Sequence, residues 1–183
     1  MPSVATVIAV LGLLLNHTAA FPTFTLSNWD GRVIDNESLE SKTTIIVPTY
    51  AKCIFACPMV TLFLTELDKE LGAPEDIQYL LVSVNPADDT AEEVRLHFEK
   101  HDIDAEADPR WLFANGSEDG LRKFHADTGV EVSLEKVQEG VLIQHTIRVF
   151  VVGPDGETLA DFDTYFWDRE EMLHALRYAT HSE

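Results

Sequence analysis

The sequence predicts an α/β fold: a central mixed β-sheet with helices on both faces and a β-hairpin at its N-terminal end. Three observations lead there. Residues 43–47 form an apolar, β-branched run of strand length, and Ile77-Gln78-Tyr79-Leu80-Leu81-Val82-Ser83-Val84 has the near-continuous apolarity of a strand covered on both faces. Between them Val60, Phe63, Leu64, Leu67 and Leu71 recur at helical spacing, which makes a βαβ unit and a parallel strand pair. Further on, Ile147-Arg148-Val149-Phe150-Val151-Val152, the turn Gly153-Pro154-Asp155-Gly156 and residues 157–162 read as a strand, a turn and an antiparallel partner. A succession βαβα followed by ββα is thioredoxin-like.

The remaining elements follow in order. Residues 21–26 alternate, Asn28-Trp29-Asp30-Gly31 supplies turn chemistry, and Arg32-Val33-Ile34 completes a short opening hairpin. Pro58 suits the first position of the first helix, and Gly72 suits its C-terminal stop. Asn85-Pro86-Ala87-Asp88-Asp89 is a loop whose acidic pair reads as caps and solvated side chains. Thr90-Ala91-Glu92-Glu93 is a capping box opening a second helix through Val94 and Phe98 to about His101. Trp111-Leu112-Phe113 is short enough for an edge strand, and Ser117 can cap a helix that buries Leu121 and Phe124 and stops at Gly129. Residues 130–144 are expected to form a loop or hairpin over the end that bears the cysteines. A last helix over residues 168–178 would bury Met172, Leu176 and Ala179.

The chemistry concentrates in Thr49-Tyr50-Ala51-Lys52-Cys53-Ile54-Phe55-Ala56-Cys57-Pro58, which holds both cysteines of the chain. Pro58 places Cys57 at or next to the helix N-cap and Cys53 in the loop above it. Unpaired N–H groups and the positive dipole end there favour a thiolate, the form that attacks disulfides and binds soft metals. A bridge between residues four apart closes a very small loop and constrains the unfolded chain little, so a functional pair fits better than a structural disulfide. Three residues separate the cysteines, whereas redox proteins of the thioredoxin type have two. His145 stands just before the strand at 147–152, where a thioredoxin-like fold would set it beside the cysteine helix. Two thiolates and an imidazole suit Cu(I) and are compatible with Cu(II). His97, His101, His125, His174 and His181 read as surface or structural residues.

Thirty-two acidic against 13 basic side chains give a formal charge of −19, spread along the chain. That excludes nucleic acid as a partner, since phosphates need a basic surface. Residues 1–20 contain no Lys, Arg, Asp or Glu, are apolar over most of 4–15 and end in Thr18-Ala19-Ala20. They are expected to be a signal peptide or an N-terminal anchor, leaving 21–183 as one domain in an oxidising compartment.

Three motifs together resemble the Sco/SenC family: Cys53-x-x-x-Cys57-Pro58 after one strand, Ser83-Val84-Asn85-Pro86-Ala87-Asp88-Asp89-Thr90 after the next, and His145-Thr146-Ile147 leading to Val152-Gly153-Pro154-Asp155-Gly156-Glu157. The resemblance covers about residues 21–181. It implies a thioredoxin-like, exported or membrane-tethered protein that binds one copper ion through Cys53, Cys57 and His145. It also implies a partner, the copper-site subunit of cytochrome c oxidase or another copper protein, met at the periplasmic or outer face of the cytoplasmic membrane. The mitochondrial inner membrane is the alternative location, although no arginine precedes Arg32. The chain departs from the family pattern at Ile54-Phe55-Ala56, where Pro-Asp-Val is frequent, at Asn85, where aspartate is usual, and at Pro48. The alternative function is an exported thiol-disulfide oxidoreductase in which Cys53 attacks and Cys57 resolves.

Overall fold

Alternation along the central strands sorts their side chains into two apolar cores, one on each side of a single sheet. A computed structural model describes residues 19–54, 56–137 and 140–180. The strands are β1 (Thr25–Asn28), β2 (Val33–Asp35), β3 (Thr43–Thr49), β4 (Ile77–Ser83), β5 (Trp111–Asn115), β6 (Val132–Val137), β7 (Gly140–His145), β8 (Val149–Val152) and β9 (Thr158–Phe162). The helices are α1 (Ala56–Leu71), α2 (Ala91–Lys100), α3 (Glu118–Asp127) and α4 (Arg169–Thr180). Seven of these strands form one mixed sheet in the order β2-β1-β5-β4-β3-β8-β9, and β6 and β7 make a separate hairpin.

The β3-α1-β4-α2-β5 run is parallel, with Ile45 opposite Tyr79 and Tyr79 opposite Trp111. Ile45, Val47, Tyr79, Leu81, Phe113 and Val151 pack on one side against Val60 and Leu64 of α1, Val94 and Phe98 of α2, and Met172 and Leu176 of α4. Their neighbours Ile46, Leu80, Val82, Leu112 and Phe150 face the opposite way, onto Leu121 and Phe124 of α3 and onto Leu26 and Ile34 of the N-terminal hairpin. Continuous apolarity in β3 and β4 is therefore explained by cover on both faces. Gly72 (φ 80°) and Gly129 (φ 68°) end α1 and α3 in the left-handed conformation that a side chain would disfavour. Thr90 and Ser117 cap α2 and α3 by accepting from the Glu93 and Gly120 N–H groups.

Three expectations change. Trp111–Asn115 is an interior strand, because β1 pairs with it antiparallel through Ser27 and Asn28, and the Asn28 side chain accepts from the Phe113 N–H. The first helix begins at Ala56, two residues earlier than a Pro58 start implies, so Cys57 lies in its first turn. Residues 132–145 do form a hairpin at the end of the sheet where β4 finishes, but it flanks α3 and the β4–α2 loop. Met172 and Leu176 are buried as expected, whereas the side chain of Ala179 and the leader residues 1–18 lie outside the described residues. No helix among the described residues is long and apolar enough to cross a membrane.

Candidate metal centre

The cysteine loop begins where β3 ends. Pro48 faces away from β4, past the last β3–β8 pair at Ile46 and Phe150, so its missing N–H leaves no ladder bond unmade. Its carbonyl accepts from the Tyr165 hydroxyl at 3.5 Å. Thr49 continues the parallel ladder through its carbonyl, which accepts from Val84 N–H. The chain then turns, with the Cys53 N–H donating to the Tyr50 carbonyl at 3.0 Å, and enters α1.

Cys53 and Cys57 stand as thiols, Cys53 half-buried and Cys57 buried at 1% exposure. The two sulfurs are hydrogen-bonded to each other. That contact, followed by burial, pushes the Cys57 thiol well above its ordinary value, although the Thr49 hydroxyl and the Tyr50 N–H both favour its thiolate. The helix start was expected to favour a thiolate; for Cys57 the neighbouring sulfur and the loss of solvent outweigh it. Apart from that approach to the Cys57 sulfur, the buried Thr49 hydroxyl has no hydrogen-bond partner among the described residues, so it can turn wholly to a sulfur that becomes charged. Tyr165 is buried close to the pair. Burial and then the two cysteines hold its phenol in the neutral form.

Behind the loop is a buried polar clamp centred on Ala51. Its N–H donates to Asp89 Oδ1 at 2.9 Å, and its carbonyl accepts from the His97 ring. The Ser83 hydroxyl donates to Asp89 Oδ2 at 2.5 Å. The Thr61 hydroxyl bridges the Cys57 carbonyl (3.1 Å) and His97 Nε2 (3.0 Å), tying α1 to α2. Burial raises the Asp89 carboxyl to about 6 and lowers His97 to about 4. Asp89 is thus not the solvated residue its acidic loop suggested; it is fully buried and fixes the first residue of the cysteine loop. The sequence offered no signal separating it from Asp88, and none for Thr49, Thr61 or Tyr165.

His145 closes β7, pairs in register with Val132, and donates from Nδ1 to the Thr146 carbonyl at 3.0 Å. Among the described residues no three His, Cys, Asp or Glu side chains are grouped closely enough to hold a metal, so this arrangement unites Cys53 with Cys57 but does not add His145 to them. Two soft thiols with donors aimed at one of them fit a soft metal ion; the third donor is present in the chain but stands apart.

A mixed sheet of this topology with a dithiol at the start of α1 defines a thioredoxin-like protein with a Cys-x-x-x-Cys site. The model of the SCO1/SenC family matches residues 15–181, and the chain belongs to that family. The SCO1 protein homolog of Bacillus subtilis (strain 168) is 26% identical over 142 residues, covering 76% of this chain and 72% of that protein. Among solved structures, Arabidopsis thaliana ScoI with copper bound aligns with a TM-score of 0.72 at 19% identity, over 90% of this chain and 100% of that one. BsSco, described as having a disulfide switch and as a member of the Sco family of cytochrome c oxidase assembly proteins, aligns with a TM-score of 0.73 at 22% identity, over 91% and 96%.

Proposed function

We propose that the protein is a copper-binding metallochaperone that assists maturation of the copper site of cytochrome c oxidase. The observation that supports this most is the pair of mutually hydrogen-bonded sulfurs, one half-exposed and one buried against the Thr49 hydroxyl and a backbone N–H. In this reading Cys53, Cys57 and His145 hold a single copper ion as cargo. The half-exposed Cys53 is the sulfur an incoming partner ligand reaches first. Recruiting His145 requires the β6–β7 hairpin to bring it closer to α1 than it is here. The partner is the oxidase subunit bearing the copper site, or another copper protein, and the protein works after export, with residues 1–20 as signal or anchor.

Because the Cys57 thiol is held protonated, loading copper must displace a proton, and affinity rises with pH through the neutral range. The test is a Cu(I) titration of the reduced protein against a competing chelator, with Cys57→Ser and His145→Ala variants. The proposal expects a single tight equivalent that both variants weaken severely, with proton release on loading. Binding indifferent to the cysteines would sink it.

The unequal exposure of the two sulfurs also favours a second reading, an exported thiol-disulfide oxidoreductase. There the Cys53 thiolate attacks a partner disulfide, one partner sulfur leaves as a thiol, and Cys57 resolves the mixed disulfide, leaving the pair oxidised and the partner reduced. His145→Ala separates the readings, since it should leave this exchange largely intact while removing copper affinity.

A further inference from the structure

Past Cys57, α1 turns a stripe of Met59, Leu62, Phe63, Glu66 and Glu70 toward solvent, all exposed except the half-buried Phe63. Their spacing keeps them on one side of the helix. Beside the stripe lies a cleft of 260 Å³ walled by four aromatic rings, Phe63 from α1 and Tyr165, Phe166 and Trp167 from the segment leading into α4. The Phe166 and Trp167 rings meet Phe63 at 64° and 78°, with centroids 5.9 and 6.2 Å away, so they wall the space instead of stacking it shut. Tyr165 borders the cleft and is also buried close to the cysteines. Cleft and thiol pair are neighbours.

The charges at the rim select what enters. Glu66 and Glu70 both border the cleft, and the guanidinium of Arg169, which borders it too, pairs with Glu70. One arginine of this chain therefore already stands at the mouth. Glu66 has no ion-pair partner among the described residues, which leaves a carboxylate beside aromatic faces that attract cations. The volume falls below the roughly 300–1,000 Å³ of small-molecule sites and suits one long side chain. Arginine fits better than lysine, because its planar, weakly hydrated guanidinium stacks on a ring while its fork bonds a carboxylate. A chain of net charge −19 draws cationic surfaces toward it.

We propose that this cleft takes an arginine side chain of the protein partner that meets the thiols, its guanidinium lying among the Phe63, Phe166 and Trp167 rings and bonding Glu66. Phe63 and Glu66 come six and nine residues after Cys57 on α1, ~9 and ~14 Å along the helix axis. The partner's arginine is thus set ~9–14 Å from the group it presents to the sulfurs, and seating it fixes how the partner lies over them. The cleft's role rests on the thiols' serving a protein partner, which both readings above share.

The test titrates the full chain, nitrogen-15 labelled, reduced and without metal, with acetyl-leucyl-arginyl-leucine amide and with the same peptide carrying citrulline, which keeps the shape of arginine without its charge. NMR should show saturating shifts of the Trp167 indole N–H and of the Phe63, Glu66 and Phe166 backbone. The citrulline peptide should bind about fivefold more weakly, and binding of the arginine peptide should fall as salt is added. Phe166→Leu keeps an apolar side chain but removes a ring face, and Glu66→Gln removes the charge. Both positions are exposed, and each change should weaken the arginine peptide about threefold while leaving the citrulline peptide unaffected. No binding, equal binding of the two peptides, or shifts confined to another surface overturns the proposal. So does binding of phosphatidylcholine vesicles in place of the peptide, which would make the rings a headgroup site. Since no copper is present, the Cu(I) titration of Cys53, Cys57 and His145 can fail while the peptide binds, and the reverse.

Discussion

Ala51 shows how single residues set the site. Both of its backbone polar groups are used, the N–H by Asp89 and the carbonyl by His97, and two buried titratable groups therefore hold the start of the cysteine loop. Their pH effects oppose each other. Asp89 is raised from 3.8 to about 6, so between those values the folded state carries the extra proton, and its contribution to stability falls as pH rises. His97 is lowered from 6.5 to about 4, so there the unfolded state carries the extra proton, and its contribution rises with pH. Asp89→Asn removes the falling contribution while keeping an acceptor for Ala51. Urea midpoints should then climb more steeply with pH in the variant than in the parent, by up to about 3 kcal/mol over roughly pH 4–6. Parallel profiles would show that Asp89 ionises normally. At this scale the sequence was legible where chemistry is rare: two cysteines and a proline mark the site alone. It was not legible for Asp89, since an acidic pair in a loop looks the same whether solvated or buried. Nor did it show that His145 stands away from the thiols, because that depends on where a hairpin packs.

Elements are held together by polar ties as well as by apolar burial, and the most extensive of these centres on Arg110. Arg110, just before β5, makes a two-pronged ion pair with Asp68 of α1 (2.6 and 3.1 Å) and also engages Asp108 at 2.6 Å. The Tyr79 hydroxyl of β4 donates to the same Asp68 carboxylate at 2.9 Å. Arg110 and Asp68 side chains are each 11% exposed, so Arg110→Ala leaves a nearly buried carboxylate without its cation and should cost about 3–5 kcal/mol in chemical denaturation. A loss below about 1 kcal/mol would place the pair among ordinary surface bridges. Helix extents and caps were readable, because periodicity, Thr90, Ser117 and two glycines are local signals. The rank of β5 was not, because its interior place comes from pairing with β1, more than eighty residues earlier in the chain. A short strand gives no local sign of how many neighbours it has.

Across the whole molecule, the acidic surface is interrupted by apolar side chains on the thiol side. Ile54 (81% exposed) lies between the cysteines, Met59 and Leu62 follow on α1, and Phe166 (72% exposed) packs edge-on against Phe63 at 5.9 Å. Exposed apolar groups gathered beside a reactive site suit transient contact with a partner. Phe166→Ser should slow copper transfer to an oxidase copper-site fragment while leaving the Cu(I) affinity unchanged, measured by stopped-flow absorbance and chelator competition; an unchanged transfer rate would remove this surface from the delivery path. The fold class and both cores were legible from pattern alone, since alternation and helical period are properties of the chain that burial merely expresses. The central claim, that the paired sulfurs hold copper together with His145, is tested most directly by X-ray absorption at the copper edge of the reduced, singly loaded protein. The account predicts a first shell of two sulfurs and one imidazole nitrogen, the nitrogen vanishing in His145→Ala. A shell of nitrogen and oxygen alone would contradict it.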